Sequence, residues 1–246
     1  MDIHVLGAGS GMPSKNLNSS AVFVRTGQGA FLLDCGEGSS RALVNMDLEA
    51  DELDAVIITH LHPDHVSGIL LLIQMLYLAR REKPLHLFLP ERSTHFLALL
   101  RSCYTFPQKF SFQLLVHDVE ELSAIFPSVL YQLNDHLSGY KEIVQQNNYD
   151  NQLKAYSIRI NSPRGDFVYS SDITTSDSIR DLLSGAHTIL VDAGHPEPEQ
   201  ILKLKNYGFS SILLTHEPKA ELLSAIDFYP GSPFEIAQEN KLYRIQ

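Results

Sequence analysis

Residues 55–72 read AVIITHLHPDHVSGILLL, an apolar β-branched run followed at once by His60, His62, Asp64 and His65. The run predicts a strand, and in extended chain side chains two apart project to one side, so His60 and His62 can reach one ion together. Pro63 suits the first turn of a helix, where its missing N–H costs least, which puts Asp64 and His65 at a helix start beside the two histidines. The plain alternative is a polar strand-to-helix loop. Imidazoles gathered against a buried strand desolvate one another without compensation, which favours a metal site. Three imidazoles and a carboxylate, once ligands from elsewhere are added, exceed one tetrahedral ion and point to two neighbouring ions.

The rest of the chain is that of an ordinary globular protein: 246 residues, 44% hydrophobic and 20% charged. Its net charge of -10 argues against attraction of nucleic acid by bulk electrostatics, while leaving room for a locally metal-charged site. Two cysteines, Cys35 and Cys103, are too few for a disulfide framework. With a start, MDIHVLGAGS, unlike a signal peptide, they place the protein in the cytoplasm. The apolar run over 69–79 contains Gln74 and falls short of the roughly 20 residues that span a bilayer, so it reads as a buried helix with no membrane role.

Short apolar segments rich in Val, Ile and Phe alternate with helix-like segments, the pattern of an α/β protein. Strands are expected over 3–7, 20–26, 30–34, 55–59, 85–89, 112–116, 155–160, 166–170, 188–194, 210–216 and 241–245. Helices are expected over 38–45, 66–80, 92–102, 176–183 and 197–206. The expected organisation is one domain over 1–246 with a polar inserted loop over 141–154, a stretch rich in Gln and Asn.

The pattern H-x-H-x-D-H after a strand resembles the signature of the metallo-β-lactamase superfamily. VLGAGSGMPSKNLNSS and FLLDCGEGSSRAL are similar to the opening glycine-rich loop and the second strand, aspartate-glycine turn and helix of its ribonuclease Z-like branch. The resemblance implies a four-layer αββα sandwich with two mixed β-sheets flanked by helices. It also implies three further ligands: His136 in LNDHLSGY, Asp172 in FVYSSDI and His216 in ILLTHEP. His136 would join His60 and His62 on one ion, His216 would join Asp64 and His65 on the other, and Asp172 would bridge both. At His136 the neighbouring Asp135 is a competing ligand. His195 in VDAGHPEPEQI resembles the branch's proton donor to the leaving group, with capping of the next helix as its plain alternative, and Asp64 would also orient the attacking hydroxide.

Histidines 4, 86, 95, 117 and 187 sit in or beside apolar strands or in a helix and read as packing or surface residues, and neither cysteine is expected in the chemistry. Ser10 and Ser19 are candidate phosphate contacts. Nitrogen-rich sites with few carboxylates fit two divalent ions, Zn2+ foremost, with Mn2+ or Fe as alternatives. The function implied is a binuclear metal-dependent hydrolase, a phosphodiesterase or nuclease-like enzyme using a metal-bridging hydroxide on a small molecule or flexible nucleic acid. Processing of tRNA 3′ ends is disfavoured, because residues 136–172 leave no room for the long arm with which bacterial members grip tRNA. The rivals are a hydrolase of another ester class (thioester, lactone or sulfate ester) and a non-catalytic metal-binding partner protein. The apolar helix over 69–79 and the resemblance together imply a homodimer.

Overall fold

Strand pairing sorts the chain into two sheets, each within one of two units: Met1–Leu122 with Gln238–Arg244, and Ser123–Ala237 with Ile245–Gln246. The computed structural model describes residues 1–246, apart from the side chain of Ala50.

The first unit is built on a seven-stranded mixed sheet. Its order is β13 (Leu242–Arg244), β1 (Asp2–Gly7), β2 (Ala21–Thr26), β3 (Gly29–Leu33), β4 (Ala55–Ile57), β5 (Leu85–Leu89) and β6 (Leu114–Asp118). The pairs from β13 to β3 are antiparallel and those from β3 to β6 parallel. Parallel strands covered on both faces read as continuous apolar runs, and Ala55, Val56 and Ile57 are all buried. Helices α1 (Ser39–Asn45), α3 (Ile69–Leu78) and α4 (Ser93–Ser102) cover the sheet: Leu43, Ile69, Leu72, Ile73, Leu76 and Leu100 share one core with Phe23, Leu32, Val56, Ile58 and Leu87. Each such side chain taken fully out of water contributes about 1.5–3 kcal/mol.

The expected helix over 66–80 is two helices, α2 (Pro63–Val66) and α3, separated by Ser67 and Gly68. The Gly68 amide donates to the Cys35 carbonyl at 2.8 Å, and a Cβ there would meet the Gly36 carbonyl oxygen at 2.2 Å. Close approach of the 35–36 turn therefore breaks the helix and requires glycine.

The second unit holds a six-stranded mixed sheet. Its order is β12 (Phe234–Ile236), β11 (Ser211–Thr215), β10 (Thr188–Asp192), β9 (Phe167–Tyr169), β8 (Tyr156–Ile160) and β7 (Val129–Leu133). β7 to β9 run antiparallel and β9 to β12 parallel. The unit begins within the short helix α5 (Leu122–Ile125) and also contains α6 (Lys141–Gln146), α7 (Arg180–Leu183), α8 (Pro198–Leu202) and α9 (Ala220–Ala225). Its core joins Val168, Ile189, Val191, Ile212 and Leu214 of the sheet to Leu182, Leu183, Ile201 and Leu222 of the helices.

Two strands were not foreseen, β7 and β12. Both are sheet edges and only partly buried. Conversely, part of the polar stretch over 141–154 is helical rather than loop: Lys141–Gln146 forms α6, built from good helix formers and braced by the Gln146 amide donating to Glu142 four residues back at 2.9 Å. The helices expected over 176–183 and 197–206 are each part 3-10 turn: Ser176–Ile179 precedes α7 and Lys203–Tyr207 follows α8. Among the described residues no helix is long and apolar enough to cross a membrane.

Candidate metal centre

In the first unit the H-x-H-x-D-H run occupies the end of β4 and the turn into α2, with His62 extended before Pro63 at the first helical position. His60 and His65 are fully buried and Asp64 nearly so. The rings of His60 and His62 lie 4.7 Å apart and those of His60 and His65 4.1 Å apart, so the three imidazoles form one cluster. Behind them stands Asp34, at the end of β3 with φ of 57° and no exposed surface. Its carboxylate accepts from the Thr59 amide at 2.8 Å, the Thr59 hydroxyl at 2.9 Å and His65 Nδ1 at 2.7 Å. That bond places the His65 proton on Nδ1 and turns the Nε2 lone pair toward Asp64, whose Oδ2 is 3.4 Å away.

In the second unit the donors come from separate strand ends. β9, β10 and β11 are parallel and in register, Leu190 pairing with Tyr169 and Asp192 with Thr215, so the residues just beyond them fall on one edge. Asp172 follows β9 through Ser171, φ 53°, and His216 follows β11 directly, φ 64°. Left-handed backbone at non-glycine residues is costly and persists where surrounding contacts enforce it. His136 opens the 3-10 turn His136–Tyr140 after β7. His136 Nε2 and His216 Nε2 approach the same oxygen of Asp172, Oδ2, at 3.6 Å and 3.5 Å. Asp135 is already engaged: it accepts from the Thr174 and Thr175 amides at 2.8 Å and 3.2 Å and from the Thr175 hydroxyl at 2.7 Å, tying His136's turn to the segment after Asp172.

His195 lies between these groups, its ring 4.9 Å from both His136 and His216, and its side chain is 43% exposed where theirs are buried. Nδ1 is 3.0 Å from Asp192 Oδ2 and 3.6 Å from Asp172 Oδ2. Asp192 also accepts the amides of Ile173, Gly194 and His195, at 3.1, 2.9 and 3.1 Å. Asp172, Asp192 and His195 could group around an ion as well, their donor atoms lying within 4.8 Å. The hydrogen bonds already made at Asp192 favour instead an orienting role toward His195. Lys219 Nζ donates to the His195 and Pro196 carbonyls at 2.9 and 3.0 Å, and a Cβ at Gly194 would strike the His216 carbonyl oxygen at 2.3 Å.

These distances fall into two classes. His65 to Asp34 and His195 to Asp192, at 2.7 and 3.0 Å, are hydrogen bonds. His65 to Asp64, and His136, His195 and His216 to Asp172, at 3.4–3.6 Å, are long for one. They match the roughly 3.4 Å between two donors that share a tetrahedral ion with bonds of about 2.1 Å. The donors present in each unit thus fit divalent metal, with Asp34 orienting one imidazole from behind. Asp34, Asp192 and Lys219 had not been singled out from sequence. The signal for both aspartates was present: each ends an apolar strand run, where a carboxylate is too costly to bury unheld.

The other histidines do not join these clusters. His86 Nδ1 and His117 Nε2 are 3.1 Å apart across β5 and β6, His187 Nδ1 is 2.9 Å from the Thr188 hydroxyl, and burial lowers the pKa of His4. Cys35 is buried, which pushes its thiol up to about 12 and makes it unreactive, while Cys103 is exposed.

The chain is 33% identical over 134 residues to ribonuclease Z of Microcystis aeruginosa, covering 54% of this chain and 40% of that protein. To ribonuclease Z of Prochlorococcus marinus it is 31% identical over 163 residues, covering 65% and 49%. The chain thus spans about half the length, or less, of the curated relatives it matches. Among solved structures, the human short-form tRNase Z superposes with a TM-score of 0.71 at 19% identity, over 100% of both chains. The metallo-β-lactamase fold protein YhfI of Bacillus subtilis gives 0.69 at 18%, over 98% of both. Superposition on these structures gives the chain the metallo-β-lactamase fold, and because the family model described as anti-Pycsar protein Apyc1 matches residues 1–202, the chain belongs to that Apyc1 family.

Proposed function

We propose that the protein is a metal-dependent phosphodiesterase with two divalent ions, acting on a small or flexible phosphodiester. His60, His62 and His136 would hold one ion, Asp64, His65 and His216 the other, and Asp172 both. The observation that carries this reading is the 3.4–3.6 Å spacing of the donor pairs, with His136 and His216 directed at the same oxygen of Asp172 that His195 also approaches, His195 being held by its shorter bond to Asp192. Two curated relatives carry the name ribonuclease Z, and a structure described as a diphosphatase from the PhnP family superposes with a TM-score of 0.69 at 15% identity, covering 100% of this chain and 98% of that one. Zinc suits the nitrogen-rich donor set, with Mn2+ or Fe as alternatives.

When bound, such ions supply Lewis acidity toward the phosphoryl oxygens and an acidified water. The chain's own residues do the rest. Asp34 holds His65 in the tautomer that presents Nε2. Asp192 receives the Nδ1 proton of His195, so that a second proton on Nε2 can pass to the departing alkoxide while the carboxylate stabilises the imidazolium. The 43% exposure of His195 suits a group that must reach substrate and exchange its proton with water.

A small substrate is favoured because Asp172 lies only 36 positions after His136. The 3-10 turn, α6, β8 and β9 lie in that interval, and the longest irregular stretch between them is 147–155, little chain for an arm that would grip a folded RNA. A cytoplasmic location and a homodimer through α3, where Leu71 and Leu78 are 60% and 68% exposed, belong to the same reading. Light scattering that shows only monomer at high micromolar concentration removes the dimer. The test of substrate class is hydrolysis of matched chromogenic aryl esters by the metal-reconstituted protein. The phosphodiester is expected to turn over fastest, and preference for the sulfate, thioester or lactone would overturn the proposal.

A further inference from the structure

The glycine-rich loop over residues 8–18 leaves β1 and returns to β2 with its tip, residues 11–16, exposed, including Met12 at 77%. It runs beside Asp64: a Cβ at Gly11 would lie 3.7 Å from Asp64 Oδ2. The tip is tied by few contacts, chiefly the Ser14 hydroxyl accepting the Leu17 amide at 3.0 Å. Its two ends, in contrast, are held by one residue from the far end of the sequence. Glu239 Oε1 accepts both the Ala8 amide at 3.0 Å and the Asn18 amide at 2.7 Å, and Oε2 accepts Asn18 Nδ2 at 3.1 Å. Asn18 relays the hold, donating also to the Leu6 carbonyl at 2.9 Å and accepting the Gly9 amide at 2.9 Å.

A half-buried carboxylate spent on three donors is costly to desolvate, and burial indeed raises its pKa while the amides of Ala8 and Asn18 lower it. Both amides belong to loop ends, so the free energy of these charge-assisted bonds goes into fixing where the loop starts and stops. We propose that Glu239 is a positioning residue whose carboxylate latches residues 8–18 in place as a wall beside Asp64, against which the non-reacting part of the substrate lies. The claim rests on the hydrolase reading above, and on Glu239 touching neither the proposed metal ligands nor the reacting atoms.

The test uses the full metal-loaded chain as wild type, Glu239→Ala and Glu239→Gln. Gln keeps one acceptor oxygen but turns an NH2 toward Asn18 Nδ2, so it reads the latch even where Ala proves too unstable. Amide exchange within 8–18 is expected to accelerate about 10-fold or more in Glu239→Ala and by less in Glu239→Gln. With metal content unchanged, KM for an aryl phosphodiester is expected to rise more than kcat falls. Unchanged exchange in both variants overturns the latch, and faster exchange with unchanged KM overturns the wall. A wild type that binds metal without any turnover defeats the functional reading and the wall with it, while the exchange result still decides whether Glu239 holds the loop.

Discussion

The two halves of the proposed ligand set are built in opposite ways. In the first unit four donor residues fall within six positions at one strand end and are fixed by a single turn, α2, and a single buried carboxylate, Asp34. In the second, the ligands His136, Asp172 and His216 come from three separate strand ends and the proton donor His195 from a fourth, aligned by the parallel register of β9, β10 and β11 and by carboxylates that pin the loops, Asp135 and Asp192. The contrast teaches that a compact motif depends on local backbone, whereas a dispersed one depends on the sheet. Damage should spread differently in each.

The largest effect is expected at Asp172, the carboxylate approached by three imidazoles. Asp172→Ala should abolish binding of both ions and cut turnover beyond the roughly 100-fold that loss of an outer partner costs, as read by elemental analysis and steady-state kinetics. If it releases one ion only, the bridging role is wrong. Next comes the support behind the compact half. Asp34→Asn replaces the carboxylate by a neutral amide with one acceptor oxygen for the Thr59 and His65 donors and should weaken metal binding about 10- to 100-fold in a chelator competition. Metal affinity equal to wild type would show that the compact motif holds itself.

Support in the dispersed half should act on chemistry instead of metal. Lys219→Met frees the His195 and Pro196 carbonyls, and kcat is expected to fall several-fold to about 10-fold with metal content unchanged, while Lys219→Arg recovers most of it. Lost metal in Lys219→Met would instead assign the loop to the metal site. The smallest effect is expected where β1 pairs with β13: Arg244 on β13 holds the Asp2 carboxyl on β1 below its ordinary value of 3.8. Because the folded value is depressed, the stabilisation is present at neutral pH and fades as pH falls through that range. The gap in thermal midpoint between wild type and Asp2→Asn should be slight at pH 7 and close on acidification. A gap that widens in acid contradicts the assignment.

The same contrast explains what the sequence revealed. His60, His62, Asp64 and His65 were legible from spacing alone, because strand geometry and a proline-led turn dictate which way they point. His136, Asp172 and His216 needed the family resemblance, since no local rule tells one strand end that another lies beside it. The orienting residues were harder still. Asp34 acts on Thr59 and His65, 25 and 31 positions on, Asp192 holds His195 only three positions on but by a bond that the strand pattern alone does not give, and Glu239 stands 221 positions from Asn18. Central strands such as β10 and β11 were placed to within a residue or two, because burial on both faces makes their apolar runs continuous. The edge strands β7 and β12 lack that burial on both faces, although the edges β6 and β13, no better buried, were legible, and the break at Gly68 depends on a backbone 32 residues away.

The central claim, that both halves serve two ions, is tested most directly by counting metal in three reconstituted proteins: wild type, His62→Ala and His216→Ala. The account predicts two ions per chain in wild type and one in each variant, one lost from each half. A single ion in wild type, or two retained in either variant, would contradict it.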